Sequence, residues 1–515
     1  MTLGLRRNTA GNRSSVEGDR PDTTADDETV VDQDQGNVLS HIISQLRPGA
    51  DLSRVTLPTF ILEPRSMLER ITNFMAHPEI LLTLPGIDDP VERFVAVTKF
   101  YLSGWHIKPP GVKKPLNPVL GETFTGYWDY PDNTRGYYIS EQTSHHPPKS
   151  SYFFMAPEHH IRVDGTLKPR SRFLGNSVGS FMEGIAVMRL LNRNERYFIT
   201  QPNMYARGIL FGKMKYELGD HAYVRCPELG LEAEIDFKVK GWMTGTYNAI
   251  GGHIKDTKSG KNLFEFSGYW DKEMYIKNLT TGKKELIFDA SHAKPSYPKA
   301  RPLEEQSDRE SQRLWDKVTK AIKVADQRTA TDEKSFIEDR QRAEAAERGE
   351  HGEWHPKLFR KTRAGASNGP GDLDGEENLD WVIDAAIDGK TPDEIVKQVL
   401  AIAPILPGQK AQAPPQAEAQ PRSEASAPAP AAVSPQQVQP PQQQAPAPQQ
   451  FQSVSQGPSN LVDFGHAGGA APQQPAQQKA SPLNTMSDLK EPLQPVIHRQ
   501  DSVEGFDEEF HDADS

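Results

Sequence analysis

Residues 231–240 alternate without a break: Leu231, Ala233, Ile235, Phe237 and Val239 interleave with Glu232, Glu234, Asp236, Lys238 and Lys240. A period of two places every apolar side chain on one face of a strand and every charge on the other. Runs of similar character occur at 136–140, 151–155, 161–166, 186–191, 197–200, 208–217, 221–225, 245–255, 262–269, 273–279 and 284–289. Turn formers separate them, among them Asp-Tyr-Pro-Asp-Asn at 129–133, Asn-Arg-Asn at 192–194, Lys-Ser-Gly at 258–260 and Thr-Thr-Gly at 280–282. So many strands in succession, with no helix between them, pair as an antiparallel sheet, and a long sheet hides its edges most economically by closing. The predicted fold class is mainly β with flanking helices (α+β), a large near-closed antiparallel β-barrel over about residues 115–290. A barrel of that many strands is wider than its own side chains fill, so an internal cavity is expected.

Helical patterns flank the strands at 66–76 and 91–105, and again at 303–326, where Leu314, Val318 and Ile322 share one stripe. A further helix is predicted over 331–348, with Thr331 as N-cap and Asp332 and Glu333 in its first turn.

Only 36% of the 515 residues are hydrophobic, and Pro (42) and Gly (39) are frequent, so part of the chain is expected to stay unfolded. Residues 1–35 are polar and acidic and read as disordered. Residues 36–406 read as the folded body, interrupted by a Gly/Asn/Asp-rich linker at 364–378. The apolar stretch 379–406 carries Trp381, Ile383, Ile387, Ile395, Val396, Val399, Leu400 and Ile402, and reads as one or two short helices packed on the body. Residues 407–498 are Pro/Gln/Ala-rich and read as disordered, and 499–515 form an acidic end.

The net charge of −11 divides into −4 over 1–35, −14 over 364–515 and +7 between them. A mildly basic body suits an anionic membrane leaflet, and no nucleic-acid motif accompanies it. No apolar run is long enough to span a bilayer, and the N-terminus has no apolar signal core. The single cysteine, Cys226, excludes an intrachain disulfide and a cysteine-cluster zinc site. A cytoplasmic location is expected, with no catalytic residue, metal or cofactor.

Residues 141–148 read Glu-Gln-Thr-Ser-His-His-Pro-Pro. Each proline fixes its own φ and pushes the preceding residue toward extended geometry, so His146 and Pro147 are expected extended. Imidazoles on so stiff a segment suit an anion, and they suit equally well a buried histidine at a proline-rich turn. A metal-dependent hydrolase using His145, His146 and Glu141 is a third reading. Against it, adjacent side chains of a strand point to opposite faces, and no third ligand stands at a standard spacing. Three further patterns stay open on the residues alone. Lys334, Glu338 and Arg342 lie at i, i+4 and i+8, which by spacing is a surface salt-bridge ladder. Val38, Ile42, Ile43 and Leu46 share one helical face, as an ordinary packed helix also would. Ser171 fits a turn serine bonded to nearby backbone as well as a polar ligand contact.

Residues 141–148 resemble the fingerprint of the oxysterol-binding-protein-related lipid-transfer family, with Thr143 in place of the usual valine of similar shape. Residues 113–122, Lys-Lys-Pro-Leu-Asn-Pro-Val-Leu-Gly-Glu, are similar to the family's second signature, and the resemblance covers about 36–406. Segments 57–63, 168–177 and 207–213 are more similar to the yeast phosphatidylserine carriers than to the sterol-carrying members. The resemblance implies a near-complete barrel with a lipid tunnel, a C-terminal helical region and an N-terminal lid over about 36–65, in which Val38, Ile42, Ile43 and Leu46 cover acyl chains. It also implies that Lys114, His145 and His146 bind the 4-phosphate of phosphatidylinositol 4-phosphate, with Lys334, Glu338 and Arg342 near the inositol phosphate. Asn117 and the backbone near Leu57 would line a shared headgroup region, and Ser171 would contact phosphatidylserine. Two imidazoles and an ammonium are the convergent donors a phosphate needs.

The acidic end, Glu-Phe-His-Asp-Ala-Asp-Ser at 509–515 after Glu504, Asp507 and Glu508, resembles an FFAT-type motif. Phe510, Asp512 and Ala513 occupy its core positions, whereas His511 and Ser515 depart from it. The implied partner is the ER-resident VAMP-associated protein, and a solubilising acidic tail is the other reading. The resemblance thus implies a non-enzymatic carrier that exchanges phosphatidylserine for phosphatidylinositol 4-phosphate. It would touch anionic membrane surfaces transiently, peripheral at the ER and its contacts with the plasma membrane. A sterol/phosphatidylinositol 4-phosphate exchanger of the same fold is the alternative.

Overall fold

The computed structural model describes residues 28–30, 42, 46–51, 58–209, 213–241, 245–349, 352–362 and 379–410. Fourteen strands form one antiparallel sheet. In chain order the strands are β1 (Glu28–Val30), β2 (Leu62–Ser66), β3 (Lys114–Leu116), β4 (Thr123–Asp129), β5 (Arg135–His145), β6 (Pro148–Ala156), β7 (Ile161–Phe173), β8 (Ser177–Leu190) and β9 (Glu195–Ile199). They continue with β10 (Asn203–Arg207), β11 (Lys213–Cys226), β12 (Leu231–Lys238), β13 (Ala249–Asp256), β14 (Asn262–Tyr269), β15 (Glu273–Asn278), β16 (Lys284–Asp289), β17 (Phe359–Lys361) and β18 (Trp381–Ile383). The main sheet runs in near-sequential order from β4 to β16, a meander of hairpins. The first half of the long strand β8 pairs with β10 and its second half with β9, and both of these pair with β11. β1 adds to the start of β11.

The alternation at 231–240 is β12, whose buried and half-buried residues alternate from Leu231 to Phe237. The runs predicted at 208–217 and 221–225 belong largely to one strand, β11. Asp220 interrupts its regularity with a φ of 68°, which aspartate tolerates. Its carboxylate accepts from Asn203 Nδ2 (2.7 Å) and the Tyr205 hydroxyl (2.6 Å). β4 has no alternation because both of its faces are covered. Phe124 and Trp128 enter the inner core, while Tyr127 packs outside.

The inner face is filled by more than its own side chains. Residues 67–105 lie against it, including helix α1 (Pro90–Ser103). Asp89 caps α1 by accepting from the amides of Val91 (2.9 Å) and Glu92 (2.8 Å), and Pro90 fits the first turn. Leu68, Ile71, Phe94, Val97, Phe100 and Tyr101 pack with Tyr138, Tyr152, Met188, Ile235 and Phe237. Helices therefore plug this part of the barrel, and the cavity left between Phe74, Tyr101, Tyr152, Met188 and Gln201 is only about 40 Å³.

The C-terminal segments differ from expectation in three places. The predicted helix at 303–326 breaks into a four-residue helix at Ser311–Leu314 and helix α2 (Asp316–Lys323). Helix α3 (Gln327–Arg348) begins before Thr331. Asp326 caps it, accepting from the Thr329 amide (3.0 Å), while the Thr331 hydroxyl donates back to the Gln327 carbonyl (2.7 Å). Within 379–406 the apolar residues 381–383 form strand β18, paired with β17, and only Pro392–Ile402 is helical (α4). α4 opens on a capping box between Thr391 and Glu394. Ile395 and Val399 of α4 pack with Tyr127, Tyr137, Ile139, Phe153 and Met155 on the outside of β4–β6. The linker 364–378 lies outside the described residues, as do the predicted disordered segments apart from β1 and residues 407–410.

Candidate functional site

The hairpin β5–β6 carries the histidine pair. β5 ends at His145, which pairs with Pro148 at the start of β6, so His146 and Pro147 form the turn rather than continuing an extended strand. The His146–Pro147 peptide bond is cis. Because His146 has left the strand, strand alternation does not separate the two rings. Their centroids lie 4.5 Å apart, edge to face. The register shifts at Thr143, whose hydroxyl meets that of Ser151 at 2.9 Å, so the hydroxyl that replaces a methyl has a partner. Gln142 braces the same hairpin, accepting from the Ser150 hydroxyl (2.6 Å) and donating to the Ser144 carbonyl (2.8 Å).

The second signature lies directly beside the first. The Gly121 amide donates to the Gln142 carbonyl (3.0 Å), and the Gln142 amide donates to the Glu122 carbonyl (2.9 Å). Gly121 has a φ of +73°, and a Cβ there would collide with the Trp354 ring, so only glycine fits. The glutamates of both motifs are architectural. Glu122 accepts from the hydroxyls of Ser66 (2.5 Å) and Ser311 (2.6 Å), Trp315 Nε1 (2.9 Å) and the Val119 amide (3.0 Å). Glu141 accepts from the amides of Lys357 and Leu358, both at 2.8 Å. Burial pushes both carboxyls above the usual range, and those donors partly offset it. Neither is free to serve as a general base or ligand.

The basic groups converge from three elements. Lys114 comes from β3, which pairs in parallel with β2 and is anchored by Leu116 among Leu62, Trp315, Val318 and Ile337. Helix α3 packs on the same cluster through Ile337 and presents Lys334, only 9% exposed, toward Lys114. Burial and the Lys334 charge lower the Lys114 pKa. Lys334 donates to Glu338 (2.6 Å). Among the described residues, Lys114 has no carboxylate within ion-pair distance, so this half of the site lacks a counter-charge for one ammonium. His145 Nδ1 lies 3.3 Å from the Pro118 carbonyl and Nε2 lies 2.7 Å from Gln341 Nε2. Burial, then the neighbouring His146, depresses its pKa to about 4, while Glu338 pulls the other way. Asn117 is exposed next to Pro118.

Of the residues singled out in the sequence, contacts join His145 to His146 and Lys334 to Glu338, while charge interactions link Glu338 to His145 and Lys334 to Lys114. Arg342 is exposed and pairs with Asp339, so the ladder expected by spacing stops at Glu338. Gln341 escaped the sequence reading although helix geometry marks it. At 3.6 residues per turn, position i+7 from Lys334 falls closer to the lysine's face than i+8 does.

Ser171 occupies a separate neighbourhood. It is half-buried near the end of β7, opposite Ser180 and on the strand face of Leu167 and Phe173. Phe173 packs there with Ile209, Met214, Leu46, Phe60 and Ile61. The chain at 46–51 joins β7 at this point, with the Gly49 amide donating to the Phe173 carbonyl (2.7 Å) and the Phe173 amide to the Ala50 carbonyl (3.0 Å). Of the residues expected in a lid, Leu46 belongs to this cluster and Ile42 is helical and half-buried. Val38, Ile43, Leu57, Phe510, Asp512 and Ala513 lie outside the described residues. Two nearby lysines are engaged. Lys113 donates to the Phe60 carbonyl (2.5 Å), and Lys149 shares Asp380 with Lys168. Among the described residues, no group of three or more His, Cys, Asp or Glu could hold a metal, and no helix is long and apolar enough to cross a membrane.

The family model described as Oxysterol-binding protein matches residues 41–323. The chain belongs to this family. It is 52% identical over 395 residues to the oxysterol-binding protein-like protein OBPalpha of Candida albicans, covering 76% of this chain and 90% of that one. It is 48% identical over 412 residues to oxysterol-binding protein homolog 6 of Saccharomyces cerevisiae, covering 78% and 89%. Among solved structures, the Osh1 ORD domain in complex with cholesterol matches with a TM-score of 0.57 at 22% identity, over 72% of this chain and 91% of that one. That likeness supports the fold, a β-barrel. As a member of a lipid-binding and lipid-transfer family, the chain is a lipid-transfer protein.

Proposed function

We propose that this protein exchanges phosphatidylserine for phosphatidylinositol 4-phosphate between two membranes, one lipid at a time. The observation that carries the reading is the convergence of Lys114, His145, His146 and Lys334, with one ammonium lacking a counter-charge. A phosphomonoester brings the missing negative charge and several acceptor oxygens. Ser171, in its apolar neighbourhood at the end of β7, supplies a hydroxyl for a serine headgroup, with Leu46 and the lid beside the acyl chains. The tunnel, the roles of Asn117, Leu57 and Arg342, and recruitment to the ER through Phe510, Asp512 and Ala513 belong to the same reading.

Mass spectrometry of lipids co-purifying with the full chain tests it. Phosphatidylserine and phosphatidylinositol 4-phosphate are expected in the wild type. The His145→Ala/His146→Ala variant should retain the first and lose the second. Recovery of sterol without phosphatidylserine would overturn the cargo assignment. Unchanged localisation of Phe510→Ala would remove the role of the acidic end.

A further inference from the structure

The hydrogen bonds around Gln341 fix its orientation and, through it, the tautomer of His145. The Leu120 amide, which can only donate, lies 2.7 Å from Gln341 Oε1. The oxygen of the Gln341 amide is therefore the end facing Leu120, and its NH₂ group faces His145 Nε2 at 2.7 Å. An NH₂ needs an acceptor, so Nε2 is bare. The remaining nitrogen, Nδ1, carries the proton and donates to the Pro118 carbonyl, which can only accept. His145 is thus held neutral with its one free lone pair occupied, although a phosphate oxygen needs a donor at that nitrogen.

We propose that Gln341 is a positioning residue that keeps His145 in the Nδ1–H form, so that binding of a phosphate headgroup releases the Gln341 side chain and takes up a proton on His145 Nε2. The inference rests on the phosphate-binding reading above. Turning the amide over does not relieve the conflict, because its NH₂ would then face the Leu120 N–H. The groups acting on His145 are few. His146 across the ring contact opposes a second charge, Glu338 on α3 favours it, and Lys114 and Lys334 act on one another. A phosphate dianion beside the ring reverses the balance, since a protonated imidazole then gains a charge-assisted hydrogen bond. Burial of the lipid-free ring, which lowers its pKa to about 4, agrees with the neutral form. Binding is therefore proton-linked between that value and the higher pKa of the bound form. Affinity falls by up to about tenfold per pH unit as pH rises through the window.

The test uses the full chain, ¹⁵N-labelled at histidine, with inositol 1,4-bisphosphate as probe. In the lipid-free wild type, the ¹⁵N shifts of His145 are expected to show the Nδ1–H tautomer. Titration calorimetry in buffers of different ionisation enthalpy is expected to show uptake of up to about one proton. Gln341→Met removes the NH₂ donor. Its lipid-free His145 should titrate at higher pH, and it should bind the probe roughly fivefold tighter near neutral pH, since one hydrogen bond no longer has to be given up. Gln341→Glu keeps an acceptor for Leu120, guards against misfolding of the Met variant, and should raise the His145 titration further. An Nε2–H tautomer in the wild type would overturn the proposal, as would an unchanged His145 midpoint in both variants. Failure of the probe to bind the wild type would count against the phosphate reading, while the lipid-free tautomer would still decide the role of Gln341.

Discussion

Among the described residues, two pairs of histidines have their rings in contact, and both include a ring whose pKa burial lowers to about 4. In the first, His77 is fully buried before a short helix at Pro78–Leu81, with its Nδ1 2.7 Å from Glu79 and its Nε2 2.9 Å from His106 Nε2. Phe288 of β16 closes over both rings. With the Glu79 carboxylate accepting from Nδ1–H, a neutral His77 accepts from His106 Nε2–H. In the second pair the partners are a carbonyl and an amide, the second ring is exposed, and the rings meet edge to face instead of by a hydrogen bond. The first pair has its imidazole-to-imidazole contact satisfied internally. The second lies beside Glu338 of α3, which pairs with Lys334, and Lys334 in turn acts on Lys114, which lacks a counter-charge. Similar pKa shifts therefore accompany different surroundings, and it is the partners around each ring that set the two pairs apart.

The comparison breaks most clearly at the second pair. His145→Ala/His146→Ala should weaken phosphoinositide binding by at least about a hundredfold, the loss of two charge-assisted hydrogen bonds, with the folding midpoint nearly unchanged. Vesicle co-sedimentation and thermal unfolding read the two effects. His77→Ala should do the reverse, costing about 2–3 kcal/mol in denaturant unfolding while headgroup affinity stays within about twofold. If it abolished binding, the two regions would not be independent.

Acid sharpens the contrast. Because the folded protein holds His106 at about 4 against an ordinary 6.5, the unfolded chain protonates first. The stability this ring contributes is complete above 6.5 and is lost as pH falls toward 4. After solvent screening the loss is about 1–2 kcal/mol, and His145 adds a share of the same sign in the lipid-free protein. His106→Gln should remove the first share, and bound phosphoinositide should remove the second. Urea unfolding across that pH range separates them. The smallest effect is expected at Asp380, which joins Lys149 beside the hairpin to Lys168. Asp380→Ala should cost about 0.5–1 kcal/mol, because its ion pairs are partly exposed.

The sequence reading reached furthest where one face of an element is wet and the other dry. β12 announced itself, whereas β4 did not, because it is covered on both faces. The start of α3 was misplaced because Thr331 looks like a cap by type, but its hydroxyl is taken by the Gln327 carbonyl one turn back. Lys114, His145 and His146 stood out through two short motifs, whereas Lys334 and Glu338 were singled out only by the resemblance, since their spacing alone reads as a surface salt-bridge ladder. Gln341 was not legible, because a glutamine becomes informative only when its two neighbours are known.

By itself, the sequence determined the β meander, because alternation is a local property of the chain, and its two signature segments carried the resemblance to the family. Only the tertiary structure decided that His146 turns back onto His145, that Glu122 and Glu141 are architectural, and that Gln341 occupies His145 Nε2. Apart from the turn itself and the Val119 amide on Glu122, those outcomes depend on donors and acceptors 27 to 221 residues away along the chain. A hydrogen bond takes its direction, and an imidazole its tautomer, from the atoms that face it.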